Sequence, residues 1–71
     1  MNQTQTGALI RALRLGEGLT QAALAQALGV SDKAVSKWEN GRGAPDVSLL
    51  PQLSQVLGVD PGDLIRGTLP E

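Results

Sequence analysis

The sequence predicts an all-α fold, a compact bundle of five short helices. Apolar residues recur at helical spacing along the chain, and no stretch alternates apolar and polar residues for long enough to form a strand. Capping residues and glycines divide this pattern into five segments. With 71 residues the chain is long enough for one domain, which we expect to span 1–71 with its core at about 6–66.

The first predicted helix has an apolar face formed by Leu9, Ile10 and Leu13. Thr6 precedes this face and is the candidate N-cap, since a threonine hydroxyl can accept a hydrogen bond from a free amide of the first turn. The glycines that begin at Gly16 end the helix.

Two further helices follow, joined by the short turn 28–31. The first of the two is capped by Thr20 and ends before Gly29, which we expect in the left-handed conformation. The second opens at its cap Ser31 and closes at Asn40 and Gly41. The residues expected to face inward from this pair are Leu24, Ala25, Leu28, Val35 and Trp38.

The C-terminal part predicts two more helices. The fourth begins near Leu50, because a start at Asp46 would put Pro51 in the second turn, where proline is costly. Asp60 caps a short fifth helix that begins at Pro61 and runs through residue 65. The inward residues of the fourth helix are Leu50, Leu53, Val56 and Leu57.

The composition excludes several classes of function. The chain has neither cysteine nor histidine, so it lacks a disulfide framework, the usual ligands of zinc and the usual general base. Its carboxylates are scattered without a pocket-forming arrangement, and we therefore expect no catalytic residues, no metal and no cofactor. No stretch approaches the roughly 20 apolar residues that span a bilayer, and the N-terminus lacks the order of a signal peptide. We expect a cytoplasmic protein without membrane contact.

Residues 20–41 carry the clearest functional signal. The turn 28–31 is too tight for two helices to lie antiparallel, so the pair must cross steeply, as in a helix-turn-helix. Ala25 is small where the helices approach most closely, and Gly29 accepts the positive φ of the turn. The apolar residues that fix the crossing angle are Leu24, Leu28, Val30, Val35 and Trp38.

From near Ile10 through Leu64, the sequence resembles the Cro and phage-repressor type of helix-turn-helix, often called the XRE family. The segments that carry the resemblance are LRLGEGLTQ, LAQALGVS, VSKWENG, PDVSLLPQL and LGVDPGDL. The resemblance implies a lambda-repressor-like DNA-binding domain whose third helix, 31–39, enters the major groove. It also implies a bacterial or phage-encoded transcriptional regulator, with a repressor as the leading expectation.

The resemblance assigns functional residues by position. Base contacts are expected from Ser31, Asp32, Lys33, Ser36 and Lys37. Phosphate contacts are expected from Gln21, Asn40 and Arg42. A structural ion pair between the first and third helices is expected from Arg14 and Glu39.

Several of these residues have a second interpretation. One alternative is that Lys33 and Lys37 are ordinary solvated charges. Like charges at i and i+4, however, destabilise a bare helix by about 0.2–0.5 kcal/mol. Local conflicts of this kind tend to lie at functional sites. For Asp32, interaction with the helix dipole and acceptance of a hydrogen bond from cytosine both stay open. For Asn40, the alternative to a phosphate contact is a purely structural role as a turn residue. Trp38 shares the inward register of the third helix, so we place it in the core rather than on a base-stacking surface.

The net charge of −1 gives no overall signal for nucleic acid, although phosphate contacts require cations. The basic residues nevertheless concentrate in the first and third helices and the loop after them: Arg11, Arg14, Lys33, Lys37 and Arg42. Acidic residues concentrate in the C-terminal part: Asp46, Asp60, Asp63 and Glu71. We therefore expect a polarised molecule, and the local field rather than the sum acts on DNA.

These observations predict sequence-specific binding of double-stranded DNA by a homodimer on a palindromic operator, since one domain contacts too few base pairs alone. The candidate dimer surface lies in the C-terminal part at Leu64, Ile65 and Leu69, although we expect Leu64 itself to close the core. The alternatives are a protein-interaction module, or an antitoxin or restriction-controller protein with the same fold. Exposure of Lys33 and Lys37 on one convex surface would favour DNA.

Overall fold

In the computed structural model, which describes residues 1–68, the chain forms α-helices and one 3₁₀ turn, and this range contains no strand. The helices are α1 (Gln3–Gly16), α2 (Gln21–Leu28), α3 (Asp32–Glu39), α4 (Leu50–Leu57) and α5 (Pro61–Arg66). The 3₁₀ turn, Val47–Leu49, leads directly into α4. The predicted all-α class with five helices is confirmed. Within residues 1–68, no helix is long and apolar enough to cross a membrane.

Each α-helix contributes one fully buried aliphatic side chain to a shared core. In the order α1 to α5, these residues are Ile10, Leu24, Val35, Leu53 and Leu64. Complete burial of one such side chain stabilises the fold by about 1.5–3 kcal/mol. Trp38 is 6% exposed and packs in the same cluster, which confirms its predicted place in the core. The core therefore joins all five helices.

The start of α1 differs from the prediction. Asn2, not Thr6, is the N-cap, and its side-chain oxygen accepts a hydrogen bond from the Gln5 N–H at 3.0 Å. Thr6 is buried inside the helix, where its hydroxyl donates to the Leu64 carbonyl at 2.8 Å. The prediction was wrong because asparagine caps at least as well as threonine, and the polar residues before Thr6 give no apolar pattern that would mark the earlier turn.

The predicted caps around the helix-turn-helix are confirmed. The Thr20 hydroxyl accepts from the Ala23 N–H at 3.0 Å, and the Ser31 hydroxyl accepts from the Ala34 N–H at 3.2 Å. Between them Gly29 ends α2 in the left-handed conformation with φ of 72°. These contacts fix both ends of the turn that sets α3 across α2.

The predicted beginnings of the last two helices are also confirmed. Pro51 lies in the first turn of α4, where its missing N–H removes no helical hydrogen bond. Asp60 caps α5 by accepting from the Gly62 N–H at 2.7 Å, and Pro61 is the first helical residue. A local signal therefore marks the start of each helix: Pro51 for α4, which has no side-chain cap, and the Asp60 cap for α5.

Gly7 permits a close approach of α1 to the end of α3. A Cβ atom at this position would lie 1.9 Å from the Trp38 carbonyl oxygen and 2.9 Å from its carbonyl carbon. Only glycine fits against that backbone. The contact holds the next turns of α1 beside the C-terminal end of α3, where the candidate site lies.

Candidate nucleic-acid interface

The surface of α3 is divided between a buried and an exposed side. Val35 and Trp38 are buried, whereas Asp32, Lys33 and Lys37 are exposed. Neither lysine has a carboxylate within ion-pair distance among residues 1–68. Their charges are therefore uncompensated on one surface, as expected for contacts to an anionic partner.

The two lysines line a shallow surface cavity of about 310 Å³, which we call the α3 cavity. Its lining residues are Lys33, Ser36, Lys37, Asn40 and Arg42. The Arg42 N–H donates to the Lys37 carbonyl at 3.0 Å, so the loop after α3 stays close to the helix. Three predicted base-contacting residues and two predicted phosphate-contacting residues thus share one surface.

The remaining two predicted base contacts lie at the start of α3. The Ser31 hydroxyl oxygen is occupied as the cap acceptor, but its O–H is still able to donate to a base. Asp32 is exposed in the first turn, near the positive end of the helix dipole. Both interpretations of Asp32 therefore stay compatible with its position.

Arg14 and Glu39 form a two-point ion pair between α1 and α3. Arg14 Nε donates to Glu39 Oε2 at 2.7 Å and Nη2 donates to Oε1 at 2.9 Å. The Arg14 Nη1 group donates to the Leu19 carbonyl at 2.7 Å, which adds the α1–α2 loop to the network. Both side chains are less than one-tenth exposed. The pair therefore fixes α3 relative to α1 and the start of α2.

The surroundings of Glu39 favour its charged form. Burial alone raises the pKa of the Glu39 carboxyl, but hydrogen bonds from Arg14 and Gln21, with the positive charges of Arg14 and Arg11, outweigh burial. The resulting pKa lies below the usual range for glutamate. The hydrogen bond to Glu39 likewise raises the pKa of Arg14 above its usual value. Both groups are charged at neutral pH.

The two predicted phosphate contacts nearest this pair already have protein partners. Gln21 Nε2 donates to Glu39 Oε1 at 3.1 Å, which joins the first residue of α2 to the network. Asn40 Nδ2 donates to the Ser36 carbonyl at 2.9 Å and lies 3.3 Å from the Ser36 hydroxyl. The Asn40 amide is therefore turned back onto α3.

A second surface cavity, of about 220 Å³, adjoins the first, and we call it the Arg11 cavity. Its lining residues are Arg11, Arg14, Gln21, Glu39 and Asn40. Asn40 borders both cavities. All lysines and arginines of the chain except Arg66 line one cavity or the other, and Glu39 is the one acidic residue in the described part of the chain that does so. The cationic side chains are thus gathered on one side of an acidic protein.

From the sequence, Arg11 is expected only to add positive charge to the first helix. Arg11 and Arg14 are three residues apart, so both lie on the same side of α1. That spacing was the available signal that Arg11 belongs beside the predicted pair. Nothing in the sequence indicated the bond between Gln21 and Glu39, because it joins different helices.

Of the candidate dimer residues, the two that the structure describes lie outside this cationic surface. Leu64 is fully buried in the core, as expected for that residue. Ile65 is 46% exposed on α5, so its side chain is available to a partner. Leu69 lies outside the described residues.

Comparison with known proteins agrees with this geometry. The Repressor protein C2 of Salmonella phage P22 is 39% identical over 69 residues, which cover 97% of this chain and 32% of that protein. A crystal structure of the P22 c2 repressor in complex with a synthetic operator is similar with a TM-score of 0.82 at 39% identity, covering 87% of this chain and 94% of that one. The HTH-type transcriptional activator BcrR of Enterococcus faecalis is 41% identical over 58 residues, which cover 82% of this chain and 28% of BcrR.

The fold and the exposed α3 define a helix-turn-helix domain of the class found in transcriptional regulators. The family model described as Helix-turn-helix matches residues 10–64. The chain belongs to this family, in its Cro and phage-repressor (XRE) type. It spans about a third or less of the length of the C2 and BcrR proteins.

Proposed function

We propose that this chain binds a specific sequence of double-stranded DNA with α3 in the major groove and regulates transcription as a repressor. The observation that carries the proposal is the uncompensated exposure of Lys33 and Lys37 on a surface next to three arginines. A lysine in this position can donate to the O6 and N7 acceptors of guanine. The two exposed arginines of this surface, Arg11 and Arg42, suit the phosphates on either side of the groove.

The proposal also covers the oligomeric state of the protein and the boundaries of its domain. Residues 1–71 act as one domain, and two copies bind the two halves of a palindromic operator in the cytoplasm. The similarity to C2, which is named a repressor, favours repression, whereas the similarity to BcrR, which is named an activator, favours activation. A promoter fused to a reporter, measured with and without the protein, shows whether the protein represses or activates transcription. Reporter output is expected to fall.

The test of base contact is selection of bound duplexes from a random pool, followed by affinity measurements on the selected site. Lys37→Ala is expected to lose about 1–3 kcal/mol at one base position and to relax the preference there, because a base contact carries sequence information. Gln21→Ala is expected to weaken all duplexes alike, as loss of a phosphate contact would. Equal weakening of every duplex by both variants would refute the assigned roles.

Gln55→Ala is the matched control, because Gln55 is an exposed glutamine of α4 that lines neither cavity. It is expected to bind every duplex as the wild type does. If the wild type selects no duplex at all, DNA binding is refuted, and a protein-interaction module becomes the better explanation for the fold.

A further inference from the structure

Lys37 lies against a glycine of the loop that follows α3. A Cβ atom at Gly43 would lie 3.3 Å from Lys37 Cε and 3.5 Å from both Cδ and Cγ. Carbon atoms pack at about 3.5–4.0 Å, so the aliphatic chain of Lys37 lies directly beside the position that a methyl group on Gly43 would occupy. The lysine is nevertheless exposed, and its ammonium has no ion pair within residues 1–68. Lys37 thus combines a supported aliphatic chain with an uncompensated charge.

The loop that supports Lys37 is held at both of its ends. Next to α3, the Gly41 N–H donates to the Trp38 carbonyl at 3.0 Å. The Arg42 N–H donates to the Lys37 carbonyl, also at 3.0 Å. Because Gly41 has the left-handed conformation, these two bonds form a Schellman motif, which turns the chain back beside the last turn of the helix. At the other end of the loop Pro45 is buried. The backbone beside the lysine is therefore fixed.

Space, not backbone conformation, distinguishes glycine from alanine at position 43. The φ angle of Gly43 lies outside the positive range, so an alanine there has no backbone strain. The effect of a Cβ atom falls instead on Lys37, which at 3.3 Å must move by a few tenths of an ångström. An exposed and flexible side chain can make this movement without loss of the fold, but its ammonium moves with it. Position 43 therefore controls where the charge of Lys37 lies.

We propose that Gly43 is a positioning residue for Lys37, whose chain rests on the bare loop backbone and reaches its guanine from a fixed direction. The inference rests on the proposed DNA binding, and it adds a determinant of base preference that does not itself contact the base. A lysine loses much rotamer freedom when its ammonium binds, so a support that is already in place lowers the entropy cost of the contact.

The first test uses the free protein and does not depend on DNA. Nuclear Overhauser effects are expected between the α protons of Gly43 and the γ, δ and ε protons of Lys37, because these groups are adjacent. Gly43→Ala should melt no lower than the wild type, since its backbone conformation suits alanine, while the chemical shifts of the Lys37 methylenes change. Absence of these Overhauser effects in the wild type would overturn the support, whatever the protein binds.

The second test measures affinity for the selected duplex and for duplexes that differ from it at single base pairs. Gly43→Ala is expected to relax the preference at the same base pair as Lys37→Ala. Its loss should be smaller than the roughly 5- to 150-fold loss expected when the lysine contact is removed. Gly16→Ala is the matched control, because it adds a methyl group where the structure has open space. It should bind every duplex as the wild type does.

A double variant tests whether Gly43 acts through Lys37. When Lys37→Ala is already present, Gly43→Ala should cause no further loss, because the side chain that it displaces is gone. Losses that multiply would show that the loop contacts DNA directly and would overturn the positioning role. Equal weakening of all duplexes by Gly43→Ala alone would overturn it in the same way.

The outcomes separate this inference from the function on which it rests. A wild type that selects a sequence, with a Gly43→Ala variant that keeps the full preference at the Lys37 base pair, overturns the role of Gly43 alone. A wild type that binds no duplex overturns both proposals.

Discussion

At the scale of single residues, Gly7 decides whether α1 can reach α3. Gly7→Ala would place a methyl group on the Trp38 carbonyl, and backbone atoms cannot move aside as a flexible side chain can. We expect a loss of at least the roughly 1–3 kcal/mol typical of overpacked sites, measured by urea unfolding. The matched control is Gly16→Ala, since Gly16 ends the same helix with open space at its Cβ position. An unchanged midpoint for Gly7→Ala would contradict the close approach.

The requirement for glycine at position 7 could not be predicted from the sequence. Its cause is the carbonyl of Trp38, which lies far away along the chain. The same reason explains the error at Thr6, whose hydroxyl is satisfied by Leu64 rather than by its own helix end. By contrast, exposure of Lys33 and burial of Trp38 follow from helical period alone, and both were predicted.

A second residue-scale prediction concerns Glu39 and acid. Because the folded-state pKa of Glu39 lies below its unfolded value, the stability that it contributes is complete above the unfolded pKa and is lost as the pH falls through the folded pKa. Glu39→Gln should be less stable than the wild type at about pH 7, and the difference should shrink below about pH 4.3, the ordinary value for glutamate.

The measurement for Glu39 is urea unfolding of both proteins across this range of pH. Asp46→Asn is a useful comparison, because hydrogen bonds from Ser48 lower the pKa of the exposed Asp46 carboxyl. Asp46 lies outside the ion pair, so Asp46→Asn should leave the stability difference between the wild type and Glu39→Gln unchanged. A difference between wild type and Glu39→Gln that stays constant into acid would refute the depressed pKa.

At the scale of elements, the helix-turn-helix was predictable because each of its signals acts within a few residues. Thr20, Gly29 and Ser31 cap or end their helices through contacts no further than the next turn. Pro51 likewise restricts the start of α4 locally. The hydrogen bond of Gln21 to Glu39 joins two helices, so it could not be predicted from the sequence.

Ser31 allows the roles of cap and base contact to be separated at the start of α3. Ser31→Ala removes the acceptor for the Ala34 N–H and should cost about 1 kcal/mol of stability. Ser31→Asn supplies another capping oxygen and should restore most of that stability, as measured by thermal unfolding. If Ser31 also contacts a base, Ser31→Asn should still alter the selected DNA sequence. Equal stability of all three proteins would refute the cap.

At the scale of the whole molecule, the acidic total charge and the cationic surface are compatible. The basic residues of α1, α3 and the following loop lie around two adjoining cavities, whereas Asp46, Asp60 and Asp63 belong to the part that forms α4 and α5. The sequence predicted this polarisation from the order of charges along the chain. It could not predict that the cavities adjoin at Asn40, because that depends on how α1 packs against α3.

The final prediction is a dimer that forms through the C-terminal helix and leaves α3 free. Two domains are needed to distinguish an operator from the competing sites of a genome, and two-fold pairing sets their recognition helices about 34 Å apart. Ile65 is the exposed apolar residue of α5, so Ile65→Glu should place a charge in the contact. We expect this variant to lose affinity for a palindromic site while keeping affinity for a half-site, since its α3 is unchanged.

Val47→Glu is the matched control for the dimer, because Val47 is an apolar residue that is 73% exposed but lies in the 3₁₀ turn before α4. Light scattering at increasing protein concentration, with and without a palindromic duplex, measures the assembly. Two wild-type chains per duplex are expected, with weaker pairing for Ile65→Glu and normal pairing for Val47→Glu. One chain per palindrome at saturation would exclude the dimer. Equal weakening of pairing by the two variants would show that the dimer contact does not lie on α5.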